Sequence, residues 1–247
     1  NLMTPRVLAI TACGFLLACT AGRTESPGPQ ITAAKPGEAP KASATADKAP
    51  APAPAPTRAK ITFSQCNVEG PYIAMTFDDG PHATNTPRLL DMLQQRNLKA
   101  TFFVCGECVA QNPEITKRIV ADGHEIANHS WSHPQLSSMS ESRVRDQLQR
   151  THDVVRQVTG VEMALLRPPF GAFTERQRRW SNAVWGYRVI MWNVDPLDWK
   201  TRNAASVQSH ILKNTIAGSI VLAHDIHKST IHAMPGTFDG LLDKGFK

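Results

Sequence analysis

From residue 61 onward, short apolar runs alternate with amphipathic stretches. Tyr72 to Phe77 is an apolar run of strand length and reads as a buried strand. Thr86 to Asn97 carries Leu89, Leu90 and Leu93 on one helical face, with Pro87 suited to a first turn. Ala100 to Val104 predicts a second strand, and Asn112-Pro113 opens a helix with Ile115, Ile119 and Val120 facing in. Glu125 to Ala127 is a third, short strand. Ser140 to Val158 repeats Val144, Leu148, Val154 and Val155 at helical spacing and predicts a long helix. Leu165-Leu166 is a brief strand, Thr174 to Ala183 a polar helix and Val189 to Val194 a strand. Ala204 to Asn214 reads as a helix, Ser219 to Ala223 as a strand, and Phe238 to Lys244 as the start of a last helix.

Strand–helix alternation of this kind implies parallel strands with helices outside. About seven such units over 61–247 predict an α/β fold. Its form would be a distorted (β/α)7–8 barrel, complete or one unit short. Barrels of this type carry their chemistry at the C-terminal ends of the strands. The polar residues that directly follow each run are few. They are Asp78 and Asp79; His129 and His133; Arg167; Asp195 and Asp198; and His224 with Asp225.

The first sixty residues have a different composition. Asn1 to Cys19 places Arg6 before an apolar stretch, Val7 to Ala18, that is too short for a bilayer span of about twenty residues. Residues 1–18 fit a secretory signal, and Leu16-Leu17-Ala18-Cys19 resembles the lipobox of bacterial lipoproteins, with Cys19 the lipidated residue. Residues 19–60 read as a disordered linker. Between Thr20 and Lys60 there are 12 Ala and 8 Pro, and Ile31 is the only large aliphatic or aromatic residue. Residues 61–247 remain as a single domain with a sizeable core.

Charge follows the same division. The net charge is +6, of which the linker's six basic and three acidic residues and Arg6 supply most, leaving +2 for the domain. No basic–aromatic pattern accompanies it, so nucleic acid is not an expected partner. The basic tail suits an anionic envelope surface.

Cys66, Cys105 and Cys108 lie in the domain. Cys105-Gly106-Glu107-Cys108 can be a redox pair, half a zinc site, or a structural pair or local disulfide. It has no second CxxC and directly follows a strand, which favours the structural readings.

His129-Ser130-Trp131-Ser132-His133 sets two imidazoles four apart, which on a helical turn would face one side. A carboxylate from another strand end, with Asp79 the candidate, completes a two-imidazole, one-carboxylate set. A divalent metal bound this way, most simply Zn2+, serves hydrolysis. Each piece alone has a plainer reading: two surface histidines, a polar turn at Asp78-Asp79-Gly80-Pro81, a rigid bend at Arg167-Pro168-Pro169.

Five segments in order resemble the motifs of the polysaccharide deacetylases (carbohydrate esterase family 4, the NodB-homology domain). They are Thr76-Phe77-Asp78-Asp79-Gly80-Pro81, His129-Ser130-Trp131-Ser132-His133, Arg167-Pro168-Pro169-Phe170-Gly171, Asp195-Pro196-Leu197-Asp198-Trp199 and Leu222-Ala223-His224. The resemblance spans most of 70–247 and none of 1–60. It implies that Asp79, His129 and His133 hold a metal, usually zinc. It makes Asp78 the general base that takes a proton from water, paired with Arg167. His224 becomes the general acid, held by Asp198. The Phe170 N–H would join the metal in stabilising the oxyanion, and Trp199 and Leu222 would wall a pocket for the acetyl methyl. His124, His227 and Asp225 are expected to be structural or bystanders.

Phe170 stands where the family often has Tyr. The family fold also closes with a strand after its last helix, and Gly245-Phe246-Lys247 is where it would begin, so a domain lacking that strand is expected. The activity implied is removal of N-acetyl groups from peptidoglycan or chitin-type oligomers, a hydrolysis of carbon–nitrogen bonds other than peptide bonds. The alternatives are acetylxylan esterase activity or a non-catalytic glycan-binding domain. A monomer, lipid-anchored in the cell envelope, is the expected setting.

Overall fold

Seven parallel strands form one sheet in a computed structural model that describes residues 59–247. The expected signal, Cys19 and the linker up to residue 58 lie outside the described residues. In chain order the elements are β1 (Thr62–Phe63), β2 (Ala74–Asp78), α1 (Asn85–Gln95), β3 (Thr101–Val104), α2 (Gly106–Gln111) and α3 (Pro113–Ala121). Then come β4 (Glu125–Asn128), α4 (Glu141–Thr159), β5 (Leu165–Leu166), α5 (Glu175–Trp185), β6 (Arg188–Ile190), α6 (Asp198–Thr201), α7 (Ala204–Asn214), β7 (Ile220–His224) and α8 (Lys228–Asp243). Across the sheet the order is β1-β6-β5-β4-β3-β2-β7.

The sheet curls until its ends meet through single bridges. Val194, just past β6, pairs with Val221, and Gln65, just past β1, pairs with Ser219. This is the distorted, incomplete β/α barrel that the alternation predicts. The register sets Asp78 beside His224, because β2 and β7 pair from Ala74–Ile220 to Asp78–His224. β3 and β4 end in step at Val104 and Asn128. The functional strand ends are thereby brought to one rim.

Helix boundaries follow local chemistry. α4 starts after extended Ser140 and stops at Gly160, whose φ of 76° is a left-handed cap. Thr174 and Gln177 form a reciprocal capping box at the start of α5, and Gly186 (φ 73°) ends it. Leu89, Leu90 and Leu93 of α1 and Val144, Leu148 and Val155 of α4 are buried against the sheet. Each such side chain contributes about 1.5–3 kcal/mol by leaving water.

Several expectations need correction. The last helix starts at Lys228, ten residues before the predicted Phe238. Pro235 lies inside the helix, and buried Ile231, Met234, Phe238 and Leu241 carry one apolar stripe across it. The predicted strand 189–194 ends at Ile190, because Arg167 takes the carbonyls of Ile190 and Met191 from within. β1 was not predicted. Its two residues are too few to show a period, and pairing with β6 makes them a strand. The first predicted strand starts later, at Ala74, and Tyr72 is exposed. Cys105 to Cys108 opens α2 instead of closing a local disulfide, and all three described cysteines are free. At the end of the chain, Lys247 exchanges backbone bonds with Pro71 and Ile73 (2.9 and 3.0 Å).

Candidate active site

Asp78 and Asp79 leave β2 in opposite senses. Asp78 is the last strand residue, while Asp79 has φ 76°, which swings its carboxylate to the other side. Asp78 Oδ1 accepts from Arg167 Nη1 at 2.7 Å. Arg167 is wholly buried, a position tolerable for a guanidinium only if every donor is matched. Its Nη1 also donates to Thr76 Oγ1 (2.7 Å), Nε to Ile190 O (3.1 Å) and Nη2 to Met191 O (2.9 Å). The guanidinium lies over the Phe103 ring at 4.1 Å, with Trp192 at 5.7 Å.

Asp79 Oδ1 lies 3.3 Å from both His129 Nε2 and His133 Nε2. Burial pushes the Asp79 carboxyl up, but the facing His129, with His224 and His133, holds it well below the carboxylate range. His129 Nδ1 faces Arg167 O at 2.6 Å. A carbonyl only accepts, so Nδ1 carries a proton. Burial disfavours the imidazolium, but the charges of Asp78 and Asp79 raise the pKa of His129, so a bound cation would take the place of the Nε2 proton. Burial and the charge of His129 lower the pKa of His133, which favours a neutral ring there.

The three ligand atoms lie within 4.8 Å of one another. Asp79 Oδ1 is buried without a hydrogen-bond partner among the described residues. A carboxylate facing two imidazole nitrogens, with an unmatched oxygen, fits a divalent cation.

The two histidines do not sit on a helical turn as expected. Ser130 (φ 69°) and His133 (φ 58°) are left-handed, and the loop is held by side chains. Asn128 Oδ1 takes the N–H of Ser130, Gln147 Oε1 those of Trp131 and Ser132, and Ser130 Oγ that of His133. The carbonyls of Ser130 and Trp131 accept from Gly106 and Glu107 at the start of α2.

Across the cavity, His224 ends β7. Its Nδ1 lies 2.8 Å from Asp198 Oδ1, and its backbone N–H donates to Asp198 Oδ2 at 2.8 Å. Thr230 Oγ1 donates to the same Oδ2 at 2.6 Å. Burial disfavours the imidazolium, but the hydrogen bond and charge of Asp198, with Asp78 and Asp79, push the His224 pKa up to about 9. Between these groups lies a cavity of about 360 Å³. Pro168, Phe170, Trp192, Trp199 and Leu222 form its apolar wall. Leu222 and His224 share a face of β7, two residues apart. Phe170 has φ 59° and an exposed ring edge-on to His133 at 4.7 Å.

The model of the polysaccharide deacetylase family matches residues 66–190, half of the sequence. The chain belongs to the polysaccharide deacetylase family. It is 42% identical over 175 residues to the peptidoglycan-N-acetylglucosamine deacetylase PgdA of Listeria monocytogenes, covering 71% of this chain but only 37% of that protein. It is 38% identical over 157 residues to a chitooligosaccharide deacetylase of Rhizobium leguminosarum bv. phaseoli, covering 63% and 68% of the two chains. A crystal structure of a peptidoglycan N-acetylglucosamine deacetylase in complex with an N-oxidanyl-benzamide has a TM-score of 0.71 at 34% identity, over 75% of this chain and 89% of that one.

In this polysaccharide deacetylase domain eight of the ten expected site residues line the cavity, with Arg167 and Asp198 behind them, bonded to Asp78 and His224. Sequence reasoning missed Thr76, Thr230, Trp192 and Gln147, which lie outside the polar strand-end pattern and act through contacts made only on folding. Asp195, which follows the 189–194 run, lines the cavity, and its Oδ1 accepts from Leu197 N. Asp225 is fully buried and accepts from Thr86 Oγ1. Burial, with the charges of Asp79 and Asp78, raises it to about 7. It packs so closely on Gly80 that a Cβ there would lie 2.3 Å from its carboxylate. His227 stacks near His224 at 5.7 Å, and His124 is buried with Nδ1 accepting from Ala100 N.

Proposed function

We propose that the domain removes N-acetyl groups from an amino-sugar glycan of the peptidoglycan or chitooligosaccharide type, releasing acetate. The observation that carries this reading is the pairing of Asp79–His129–His133 with the Asp198–His224 pair across one apolar-walled cavity. The chain spans about a third of the length of the Listeria relative, so the substrate is inferred for this domain alone.

Asp79, His129 and His133 would hold a divalent ion, zinc by preference for this donor set. Such an ion supplies Lewis-acid polarisation and makes water a nucleophile near neutral pH. The chain's residues do the rest. Arg167 fixes Asp78 Oδ1, leaving Oδ2 turned to the cluster, 3.7 Å from His129 Nε2, to accept a proton from the attacking water. The Phe170 N–H is a donor for the oxygen that becomes negative. His224, charged at neutral pH, gives its Nε2 proton to the departing amine, and Asp198 keeps the ring oriented. Trp199 and Leu222 enclose the acetyl methyl and exclude water.

Acetate release should be measured on peptidoglycan, chitooligosaccharide and acetylated xylan, with and without a chelator. N-acetylated substrates should yield acetate, the chelator should stop it, and added zinc should restore it. No acetate from any substrate with metal-loaded protein would sink the proposal, and release from xylan alone would make it an O-acetyl esterase. Asp78→Asn should lower kcat by about 10²–10⁴-fold while zinc content stays at the wild-type level.

The lipobox-like sequence before Cys19 supports a lipid-anchored placement in the cell envelope. Metabolic labelling with a fatty acid should mark the protein, and Cys19→Ala should remove the label.

A further inference from the structure

A run of buried hydrogen bonds leads from the His129–His133 loop to the surface, and the proposed reaction does not use it. Asn128 Oδ1 accepts the Ser130 N–H at 2.8 Å. Asn128 Nδ2 donates to Leu148 O (2.9 Å) and to Tyr187 Oη (3.0 Å). Tyr187 Oη lies 2.8 Å from His152 Nδ1, and His152 Nε2 lies 2.5 Å from Glu162 Oε2. Asn128 and Tyr187 are fully buried and His152 nearly so, while the Glu162 side chain is 62% exposed.

Donor chemistry fixes the direction of the run. An amide nitrogen only donates, so the Tyr187 oxygen accepts from Asn128. The Glu162 carboxylate accepts, so His152 Nε2 carries a proton. Nδ1 of the neutral ring is then an acceptor and takes the Tyr187 O–H. Nδ1–H on a doubly protonated ring would join the Asn128 amide in pointing at the phenol oxygen and leave the Tyr187 O–H unmatched.

This assignment locks Asn128. Its amide nitrogen is claimed by two acceptors, so its carbonyl oxygen must face Ser130. Ser130 holds φ 69°, a left-handed conformation that is strained for an L-residue and needs support. It is also the residue that turns the chain between His129 and His133.

We propose that Tyr187 is a positioning residue for the two histidines, acting through Asn128, with His152 fixing its hydroxyl. The inference rests on reading His129 and His133 as metal ligands. Groups that orient ligands without touching the metal typically change its affinity about 10–100-fold when lost.

The test uses the full chain with Tyr187→Phe and, separately, His152→Leu. Zinc affinity would be read by competition with a chromophoric chelator, ligand geometry by the absorption bands of the Co2+-loaded protein, and stability by melting the metal-free form. Tyr187→Phe should weaken zinc binding about tenfold and alter the Co2+ bands. His152→Leu, which returns Glu162 to water, should shift both readouts in the same direction by less. Wild-type zinc affinity and Co2+ bands in both variants would overturn the inference, whatever the melting temperatures, and leave the run a feature of core stability. Should Tyr187→Phe fail to fold, His152→Leu decides alone. A wild-type chain that takes up no zinc would overturn the metal reading itself, a result distinct from unchanged variants.

Discussion

Asp198 is fully buried, and its neighbours at that rim are donors. His224 approaches through both its backbone and its ring, Thr230 adds a hydroxyl and Trp199 a backbone N–H. Burial alone would raise the Asp198 carboxyl, but the hydrogen bond and charge of His224, with the Thr230 bond, bring it below its ordinary value. His224 moves the other way, to about 9 against about 6.5 for an ordinary histidine. A raised folded pKa means the pair's stabilisation is fully present below about 6.5 and is lost as pH rises through about 9. The acid form follows the same course, so kcat/KM should fall on the alkaline side near 9. Asp198→Asn removes the charge that holds the proton. Its alkaline limb should move down towards the ordinary histidine range in a pH–rate profile, and an unmoved limb would count against His224 as the acid.

At the scale of elements, α4 both packs and positions. Its Val144, Leu148 and Val155 were legible as a helical stripe, and all three are buried. The same helix supplies Gln147 to the histidine loop and the Leu148 carbonyl to Asn128. Leu148→Ala should cost about 2–5 kcal/mol through lost burial and the cavity left behind, read by denaturant melting. A loss under about 1 kcal/mol would show that the neighbours collapse into the space. α8 was legible only in its last third, because a proline inside a helix reads locally as a boundary, and only the packed stripe shows otherwise. The histidine loop was misread for a related reason. Spacing of four suits a helix, but Ser130 and His133 take left-handed angles that bonds from Asn128 and Gln147 sustain.

Over the whole molecule, the metal candidate joins strands distant in sequence. Asp79 follows β2 and the histidines follow β4, with β3 between them in the sheet. A cation bound to the folded form and not to the unfolded one therefore staples the rim. Free zinc at a hundred times its Kd should raise stability by about 2.7 kcal/mol, and a chelator should reverse the gain. Asp79→Ala should abolish the rise in melting temperature. An equal rise in that variant would place the zinc elsewhere.

The order of apolar and amphipathic runs determined the parallel α/β architecture, since strand and helix periods are local properties of the chain. The same order named the rim, because parallel connections force all strand ends to one side. Residue types at those ends then named the chemistry. Only the tertiary structure decided how that chemistry is divided. The positive φ of Asp79 turns one carboxylate towards two imidazoles and leaves its neighbour to Arg167. Distant supports of Arg167, the histidine loop and Asp198 are Thr76, Gln147 and Thr230, between 15 and 91 positions away. Such contacts leave no periodic trace in sequence, because they depend on which buried donors and acceptors the closed sheet brings within about 3 Å.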